Sequence, residues 1–329
     1  MNIRILSRRF LIFQIYRQRM SCVILLCRLC YISTFYVIII LSISRCKDTQ
    51  IFPSRKKHFV NSQKVGIFAE KSMIQFVNIT EAEFLKKKLV YKHMSLENAL
   101  RTLETQSLWF ANPENWKDPF EKRFLNAKYI SKGKEVAFNW KDRLFCTCVT
   151  QTISSEAFWH TYSQGEIGVE FRIDRAVLLD ELKKHSSTYD IFIGKVEYMK
   201  TTDIEQELKK IPFNPPISVG VNTNEFASRL FLLKRTAFSY EDELRIILLK
   251  QNKTQEKGIT LKYNCNNTKL IRRIILDPDL KEHTYNTLKE VFVSKYGFTP
   301  ISTKGATKYS RVIKSQLYAS PKIATLKID

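Results

Sequence analysis

After Met73 the chain alternates short apolar runs typical of β-strands with longer runs that have helical spacing, and no long linker separates them. From Glu166 to Ile173 the apolar side chains follow a period of two, which predicts a half-buried strand. From Leu96 to Leu103 they recur at helical spacing after Ser95, a residue type that caps helices. The alternation predicts one compact α+β domain, with a mixed sheet and flanking helices.

The same two patterns predict most of the remaining elements. Strands are predicted at residues 89–93, 108–111, 144–150, 191–198, 244–249 and 270–276. Helices are predicted at residues 154–162, 174–184 and 225–237, and from Asp277-Pro278 to about Tyr296, with the proline in the first turn. Residues 112–119 carry Asn, Pro and Asp and are predicted to form an ordered loop. This order of elements does not match a regular doubly wound sheet.

Residues 1–72 differ from residues 73–329, and we divide the chain at that point into an N-terminal segment and an α+β domain. The run from Ser21 to Ile43 carries a single charge, Arg28, and is long enough to cross a bilayer as a helix. A membrane anchor is therefore one interpretation, and it applies only if residues 21–43 are expressed. The other is that translation starts at Met73, since the stretch that follows it reads as a natural beginning.

The formal net charge of +22 is concentrated at one end, since half of it lies in residues 1–72. The remaining domain is moderately basic, which is enough to attract nucleic acid or other phosphate-bearing partners, although a solvated basic surface is the simpler interpretation. Of the seven cysteines only Cys146, Cys148 and Cys265 lie in the domain, and their irregular spacing argues against a disulfide framework. We therefore predict a reducing, cytoplasmic location, with membrane anchoring through residues 21–43 as the alternative.

The sequence lacks the motifs of several common kinds of nucleotide-binding and metal-binding site. The domain contains no Gly-x-Gly-x-x-Gly fingerprint, no phosphate-binding Gly-Lys-Ser/Thr loop and no His-Glu-x-x-His metal motif. Cys146 and Cys148 with His160 make zinc conceivable, but there is no second cysteine pair, and buried structural thiols are the other interpretation. We expect no metal.

A cluster of charged residues lies late in the domain, where Glu241, Glu243 and Arg245 stand at i, i+2 and i+4. If this stretch is a strand, their side chains project from one face while Leu244 and Ile246 project from the other. Paired carboxylates beside a guanidinium have altered proton affinities, as catalytic groups often do. An ion pair on a strand edge is the alternative.

Aromatic residues suggest a second part of a site. A loop with two polar residues, Asn112 and Asp118, is bracketed by the aromatic residues Trp109, Phe110, Trp116 and Phe120. It could stack a planar ring or fold over the core with Asp118 accepting backbone N–H groups. His160 and Tyr162 lie on one helical turn next to Trp159 and could face a cleft, although the three cannot share one face.

Several short motifs keep one order between about residues 85 and 280. They are Tyr91-Lys-His93, Leu108-Trp-Phe-Ala-Asn-Pro113, Trp116-Lys-Asp-Pro-Phe-Glu121, Cys148-Val-Thr150, Phe158-Trp-His-Thr-Tyr162, Gly168-Val-Glu-Phe171, Lys195-Val-Glu-Tyr198, and Lys234 with Phe238-Ser-Tyr-Glu-Asp-Glu-Leu-Arg245. Together they resemble a bacterial family labelled domain of unknown function 2971. His93 stands where Tyr is common and Lys117 where Asn is frequent, and neither difference breaks the match. The resemblance implies an accessory or phage-defence protein.

The arrangement is also similar to the ADP-ribosyltransferase superfamily, and this resemblance implies a set of roles. His93, Tyr162 or Trp109, and Glu243 would fill the positions that bind NAD. Glu243 would hold a ribose hydroxyl and stabilise an oxocarbenium-like transition state, and His93 would bond the adenosine ribose.

Our leading hypothesis is a cleft for a nucleotide-type ligand, and its sharpest form is an NAD-dependent ADP-ribosyltransferase. The predicted catalytic residues are Glu243, Glu241 and His93, and the predicted ligand-binding residues are Trp109, Asp118, His160, Tyr162 and Arg245. The alternative is a non-catalytic effector or sensor that binds nucleic acid or a protein through the basic surface. A nuclease is a third hypothesis, with Glu241, Asp242 and Glu243 as its only carboxylate cluster.

Overall fold

The computed structural model describes residues 74–131, 133–136, 140–153, 155–163, 165–210, 223–302 and 308–320. The predicted anchor at residues 21–43 lies outside the described residues, and the division at residue 73 stays a prediction. Within the ranges given, no helix has both the length and the apolar character that crossing a membrane requires.

The described residues form helices and strands that alternate along the chain. The helices are α1 (Glu81–Lys86), α2 (Leu96–Thr105), α3 (Pro119–Lys122), α4 (Glu156–Ser163), α5 (Arg175–Lys183), α6 (Thr201–Lys210), α7 (Thr223–Leu230), α8 (Asn267–Leu270) and α9 (Glu282–Ser294). The strands are β1 (Ile74–Val77), β2 (Leu89–Ser95), β3 (Ser107–Ala111), β4 (Tyr129–Ser131), β5 (Lys134–Val136), β6 (Leu144–Thr150), β7 (Gly168–Asp174), β8 (Tyr189–Lys195), β9 (Glu197–Met199), β10 (Leu233–Arg235), β11 (Glu243–Lys250), β12 (Gly258–Lys262), β13 (Ile271–Leu276), β14 (Ile301–Ser302), β15 (Lys308–Tyr309) and β16 (Val312–Lys314).

The main sheet has the strand order β1-β8-β11-β6-β2-β7-β13-β16. The pairs at its two ends, β1 with β8 and β13 with β16, are parallel. The inner pairs are antiparallel, and β11 lies between β8 and β6. Such a mixed sheet with helices confirms the predicted α+β class.

The sheet divides at β6. Thr150 at one end of this strand pairs with Tyr91 of β2, whereas Cys146 pairs with Ala111 of β3, which also pairs with β12. Between these two points the Nζ atom of Lys92 donates to the Cys148 carbonyl at 3.0 Å, as the N–H of a neighbouring strand would. Strands β2 and β3 therefore diverge on the same side of β6.

The core lies on both faces of the sheet, as the alternation along β11 illustrates. Leu244, Ile246 and Leu248 pack with side chains of α2, α5 and α9 on one face. Ile247 and Leu249 pack with side chains of α6 and α7 on the other. Because the side-chain period of a strand is two, Glu243 and Arg245 fall on the second face.

Two predictions of local structure are confirmed by capping and burial. Asp174 accepts hydrogen bonds from the N–H groups of Ala176 and Val177 and so begins α5. In β7 the predicted apolar face is buried, since Val169, Phe171 and Ile173 are at most 1% exposed.

The predicted helix 225–237 is wrong beyond Leu230. The chain leaves the helix there because residues 233–235 form β10, which pairs in parallel with β9 and takes its hydrogen bonds from that strand. The predicted strand 191–198 is likewise two strands, β8 in the main sheet and β9 in the small one.

The helix predicted from Pro278 begins later, at Glu282. The side chain of Asp277 instead accepts hydrogen bonds from the N–H groups of Gly168 and Asp279, at 2.9 Å each. Asp277 therefore holds a turn against β7 and delays the helix.

Candidate active site

Four buried charged side chains and one that is 11% exposed, Glu121, meet beside the start of β11, and we call them the charge cluster: Glu121, Lys234, Glu241, Glu243 and Arg245. The Nζ atom of Lys234 lies 2.6 Å from Oε2 of Glu241 and 3.0 Å from Oε2 of Glu243. The Nε atom of Arg245 lies 2.9 Å from Oε1 of Glu243. Glu121 contacts both cations, at 3.5 Å from Lys234 and by a short contact with Arg245.

A turn, and not a continuous strand, brings Glu241 and Glu243 together. Glu241 ends a 3-10 helix that begins at Thr236, and Asp242 adopts a left-handed conformation with φ of 37° before β11 starts at Glu243. Aspartate adopts the left-handed backbone conformation more readily than most residues do. The predicted strand 244–249 is confirmed, Glu241 lies outside it, and the turn aims both carboxylates at Lys234.

The Asp118-Pro119 pair places Glu121 in the cluster. Oδ1 of Asp118 accepts the N–H of Phe120 at 2.9 Å and caps α3, with Pro119 at its first position. Oδ2 of Asp118 lies 3.0 Å from Nη2 of Arg235, next to Lys234 in β10. Asp118 thus ties α3 to β10.

Aromatic rings cover the cations of the cluster. The guanidinium of Arg245 lies 4.8 Å from the ring centroid of Trp116, and the Nζ atom of Lys234 lies 4.9 Å from that of Phe238. Both contacts are close enough for cation–π attraction in a site from which water is excluded.

The cluster holds three carboxylates and only two cations. Because of this imbalance, the pKa values of Glu241 and Glu243 shift in opposite directions. Burial opposes ionisation of Glu243, but the charges of Arg245 and Lys234 outweigh it and hold its pKa at about 2. Burial and the charge of Glu243 raise the pKa of Glu241, against the opposing effect of Lys234. Glu243 is therefore the fixed anion and Glu241 the carboxyl group that exchanges a proton more easily.

A small cavity opens beside this pair of glutamates. Its walls are Tyr91, His93, Cys148, Val149, Thr150, Phe158, Tyr162, Glu241 and Glu243. Its volume of about 30 Å³ accommodates one water molecule or one hydroxyl group. Burial and the charges of Glu241 and Glu243 raise the pKa of Tyr162, so its phenol stays protonated and can donate toward Glu241.

His93 forms another wall of this cavity. Its ring stacks on Phe158 with centroids 4.6 Å apart, and its Nε2 atom lies 3.2 Å from Oε2 of Glu170, across the β2–β7 pair. The side chain is 3% exposed, and despite the proximity of Nε2 to Glu170 neither ring nitrogen makes a hydrogen bond with the residues that the structure describes. A buried polar atom without a partner is costly, so a ligand that bonds Nδ1 would be favoured.

The structure brings four of the eight predicted site residues to this cavity: His93, Tyr162, Glu241 and Glu243. Arg245 lies behind it, bound to Glu243 and to the carbonyl oxygen of Phe231. His160 points away into solvent, 70% exposed and 3.8 Å from Glu156. Asp118 acts as the cap described above.

Trp109 lies at another cavity, of about 210 Å³, between the diverging strands β2 and β3. Its ring is 47% exposed and packs over Gly258, where a Cβ atom would come within 2.1 Å of the ring. Lys92 and Arg101 also line this cavity, and so does His93, which contributes to both cavities.

Glu121 and Lys234 are the members of the cluster that sequence reasoning did not select as site residues. Both stand in the quoted motifs, Glu121 at the end of Trp116–Glu121 and Lys234 just before Phe238. Because they carry charges opposite to those of Arg245 and of the two glutamates, matching opposite charges among the motifs could have suggested the pairing. The contact was not predicted, because Glu121 is distant in the chain from the other members.

The fold and site together define an α+β protein with a buried charge cluster under a small cavity. Residues 158–246 match the family model described as "Protein of unknown function (DUF2971)", which confirms the predicted resemblance over this segment. The matched segment includes Tyr162, Lys234, Glu241, Glu243 and Arg245 and excludes His93 and Glu121. No curated protein and no solved structure matches the chain.

Proposed function

We propose that the chain is an enzyme in which Glu241 bonds a hydroxyl group of a nucleotide-type ligand and exchanges a proton with it. The observation that carries this proposal is the raised pKa of a buried carboxyl group that faces a cavity of hydroxyl size. Only one of its oxygens is engaged by Lys234. By contrast, both oxygens of Glu243 accept hydrogen bonds from Arg245 or Lys234, which leaves Glu243 to position its neighbours.

The sharper form of the proposal is an NAD-dependent ADP-ribosyltransferase. One ribose hydroxyl would occupy the cavity between Glu241 and Tyr162, with Nδ1 of His93 available to a second hydroxyl. The bond between C1′ of the ribose and nicotinamide breaks, and nicotinamide leaves with the electron pair. A nucleophilic hydroxyl or amine then bonds to C1′ and gives its proton to Glu241. The negative charge of the cluster would stabilise the cationic sugar between these steps.

The rest of such a ligand is larger than the cavity and would lie at its mouth. Tyr240 offers a surface there, since it is 40% exposed and its ring is 6.0 Å from that of Phe158. An aromatic side chain in this position can stack a planar base or a nicotinamide ring.

Titration calorimetry of the full chain with NAD, with nicotinamide release followed in parallel, tests the proposal. We expect saturable binding and a slow release that Glu241→Gln abolishes, because the amide cannot accept the proton. Glu290→Gln is the matched control, since Glu290 is exposed on α9. It should behave as the wild type.

Two other results would count against the enzyme. Binding of NAD without release, unchanged by Glu241→Gln, would favour a non-catalytic binding protein. The absence of binding at millimolar NAD, a free energy weaker than about −4 kcal/mol, would exclude NAD as the ligand.

A further inference from the structure

A separate cleft lies where strands β2, β7 and β13 meet the paired strands β14 and β15, and it has a volume of about 360 Å³. We call it the arginine cleft, and the side chains that matter are Lys88, Arg172, Arg272, Arg273, Tyr309 and Arg311. No acidic side chain lines it among the residues that the structure describes.

Only two of the five cations are neutralised. Nε of Arg172 lies 2.8 Å from Oε1 of Glu170, and Nε of Arg272 lies 3.0 Å from Oδ2 of Asp174. Lys88, Arg273 and Arg311 have no carboxylate partner in the described part of the chain. The cleft therefore carries a surplus of positive charge that an anion would neutralise.

Arg311 is the most constrained of these cations, since only 8% of the residue is exposed. Its Nε and Nη2 atoms donate to the backbone carbonyl oxygens of Arg272 and Thr268. Burial and the nearby charge of Arg272 lower the pKa of Arg311. A buried guanidinium held by carbonyl groups and faced by a like charge is costly, and an anion in the cleft would offset this cost.

Tyr309 adds a flat apolar surface to the cleft. The residue is 40% exposed, and the guanidinium of Arg273 lies 5.2 Å from its ring centroid. An arginine and a tyrosine in contact form a platform on which an unpaired base can stack. A ligand without a planar ring would gain nothing from this platform.

We propose that the arginine cleft binds a nucleoside phosphate, either free or within a single-stranded nucleic acid, with its phosphate groups on Lys88, Arg273 and Arg311 and its base on Tyr309. Arg273 suits phosphate because its planar fork of donors matches two phosphate oxygens, whereas Arg311 would use Nη1, which donates to neither of its two carbonyl partners. The site is separate from the Glu241 cavity, and the two approach each other at Tyr91, which lines that cavity and lies 5.7 Å under Arg172. The proposal holds whether or not Glu241 is catalytic.

Fluorescence anisotropy of the full chain with a labelled oligothymidylate, in competition with ATP and with inorganic tripolyphosphate, tests the cleft. The double variant Lys88→Gln/Arg273→Gln should weaken binding at least tenfold and flatten the dependence of the affinity on salt, because two phosphate contacts are lost. Tyr309→Ala should weaken the oligonucleotide and ATP about tenfold while leaving tripolyphosphate unchanged, because only the first two carry a base.

The control is Lys253→Gln, which removes one exposed positive charge from the β11–β12 loop and should leave binding almost unchanged. Thermal melting of each variant checks that folding is intact. Tighter binding of the oligonucleotide than of ATP would identify a nucleic-acid strand as the source of the phosphates. Tighter binding of ATP than of the oligonucleotide would identify a free nucleotide as the source. No binding at low salt, or equal binding by the wild type and the double variant, would overturn the proposal.

Discussion

At the scale of single residues, Glu241 and Glu243 show how two identical side chains acquire different chemistry two positions apart. Glu243 is held as an anion by two cations, whereas Glu241 carries the surplus charge of the cluster. Their order along the chain gives no hint of this difference. It arises because Arg245 reaches only one of them, while Lys234 reaches both.

We predict that Glu243→Gln destabilises the fold severely. A glutamine offers one acceptor where Glu243 uses two, and its amide would face the donors of Arg245 and Lys234. Breaking a buried ion pair in this way costs about 3–5 kcal/mol, which urea denaturation of the variant would measure. The stability due to Glu243 is present above the unfolded pKa of about 4.5 and is lost as the pH falls through about 2. A loss below about 1 kcal/mol would mean that the pair is solvated.

Glu241→Gln should have the opposite effect. The side-chain carbonyl of the glutamine can still accept the hydrogen bond from Lys234, and the surplus negative charge of the cluster is removed. Because the pKa of Glu241 is raised in the fold, its ionisation lowers stability as the pH rises through the folded pKa. The variant should match the wild type below pH 4 and gain on the order of 1 kcal/mol near neutral pH. Thermal melting of both proteins across this pH range measures the difference in stability between the variant and the wild type. If that difference became less favourable to the variant between pH 4 and neutral pH, the expectation would be contradicted.

At the scale of elements, α3 is only four residues long, and two contacts of Asp118 fix its position. Such a short helix has almost no stability of its own, so its anchors determine whether Glu121 reaches the cluster. The sequence predicted an ordered loop here, with Asp118 accepting backbone N–H groups, and the cap on Phe120 confirms this part. The ion pair with Arg235 could not be predicted, because it joins residues far apart in the chain.

The two roles of Asp118 can be separated by substitution. Asp118→Ala removes the cap and the ion pair and should cost about 1–2 kcal/mol. Asp118→Asn keeps a side-chain oxygen for the cap and loses only the charge, so we expect a loss of less than about 1 kcal/mol. Chemical denaturation of both variants would distinguish them. Equal losses would mean that the bond to Arg235, and not the cap, holds α3.

At the scale of the whole molecule, β11 is the strand on which the site and the core both depend. It pairs on both sides, with β8 and β6, and residues Glu243 to Leu249 are all buried. The same strand carries Glu243 and Arg245 on one face and three core residues on the other. A site built on a central strand is held more rigidly than one on a loop.

We therefore predict that the amides of β11 exchange hydrogen most slowly in the domain. Amides in the middle of a sheet open only with global unfolding, whereas strands outside the centre open locally. In β12, which pairs with β3 alone among the described strands, exchange should be faster. Hydrogen exchange followed by mass spectrometry compares the two strands directly, and equal rates would show that the sheet opens as one unit.

The sequence by itself determined the class of fold, most strands of the sheet and the opposite faces of Glu243 and Leu244, because local periodicity reports which side of an element is buried. Only the tertiary structure decided that Glu121 and Lys234 join the cluster, that Trp109 and His160 lie apart from it, and that Arg172, Arg272 and Arg311 converge on one cleft. These contacts join residues distant in the chain, and their energies depend on burial and on neighbouring charges. A spacing rule along one element contains neither quantity.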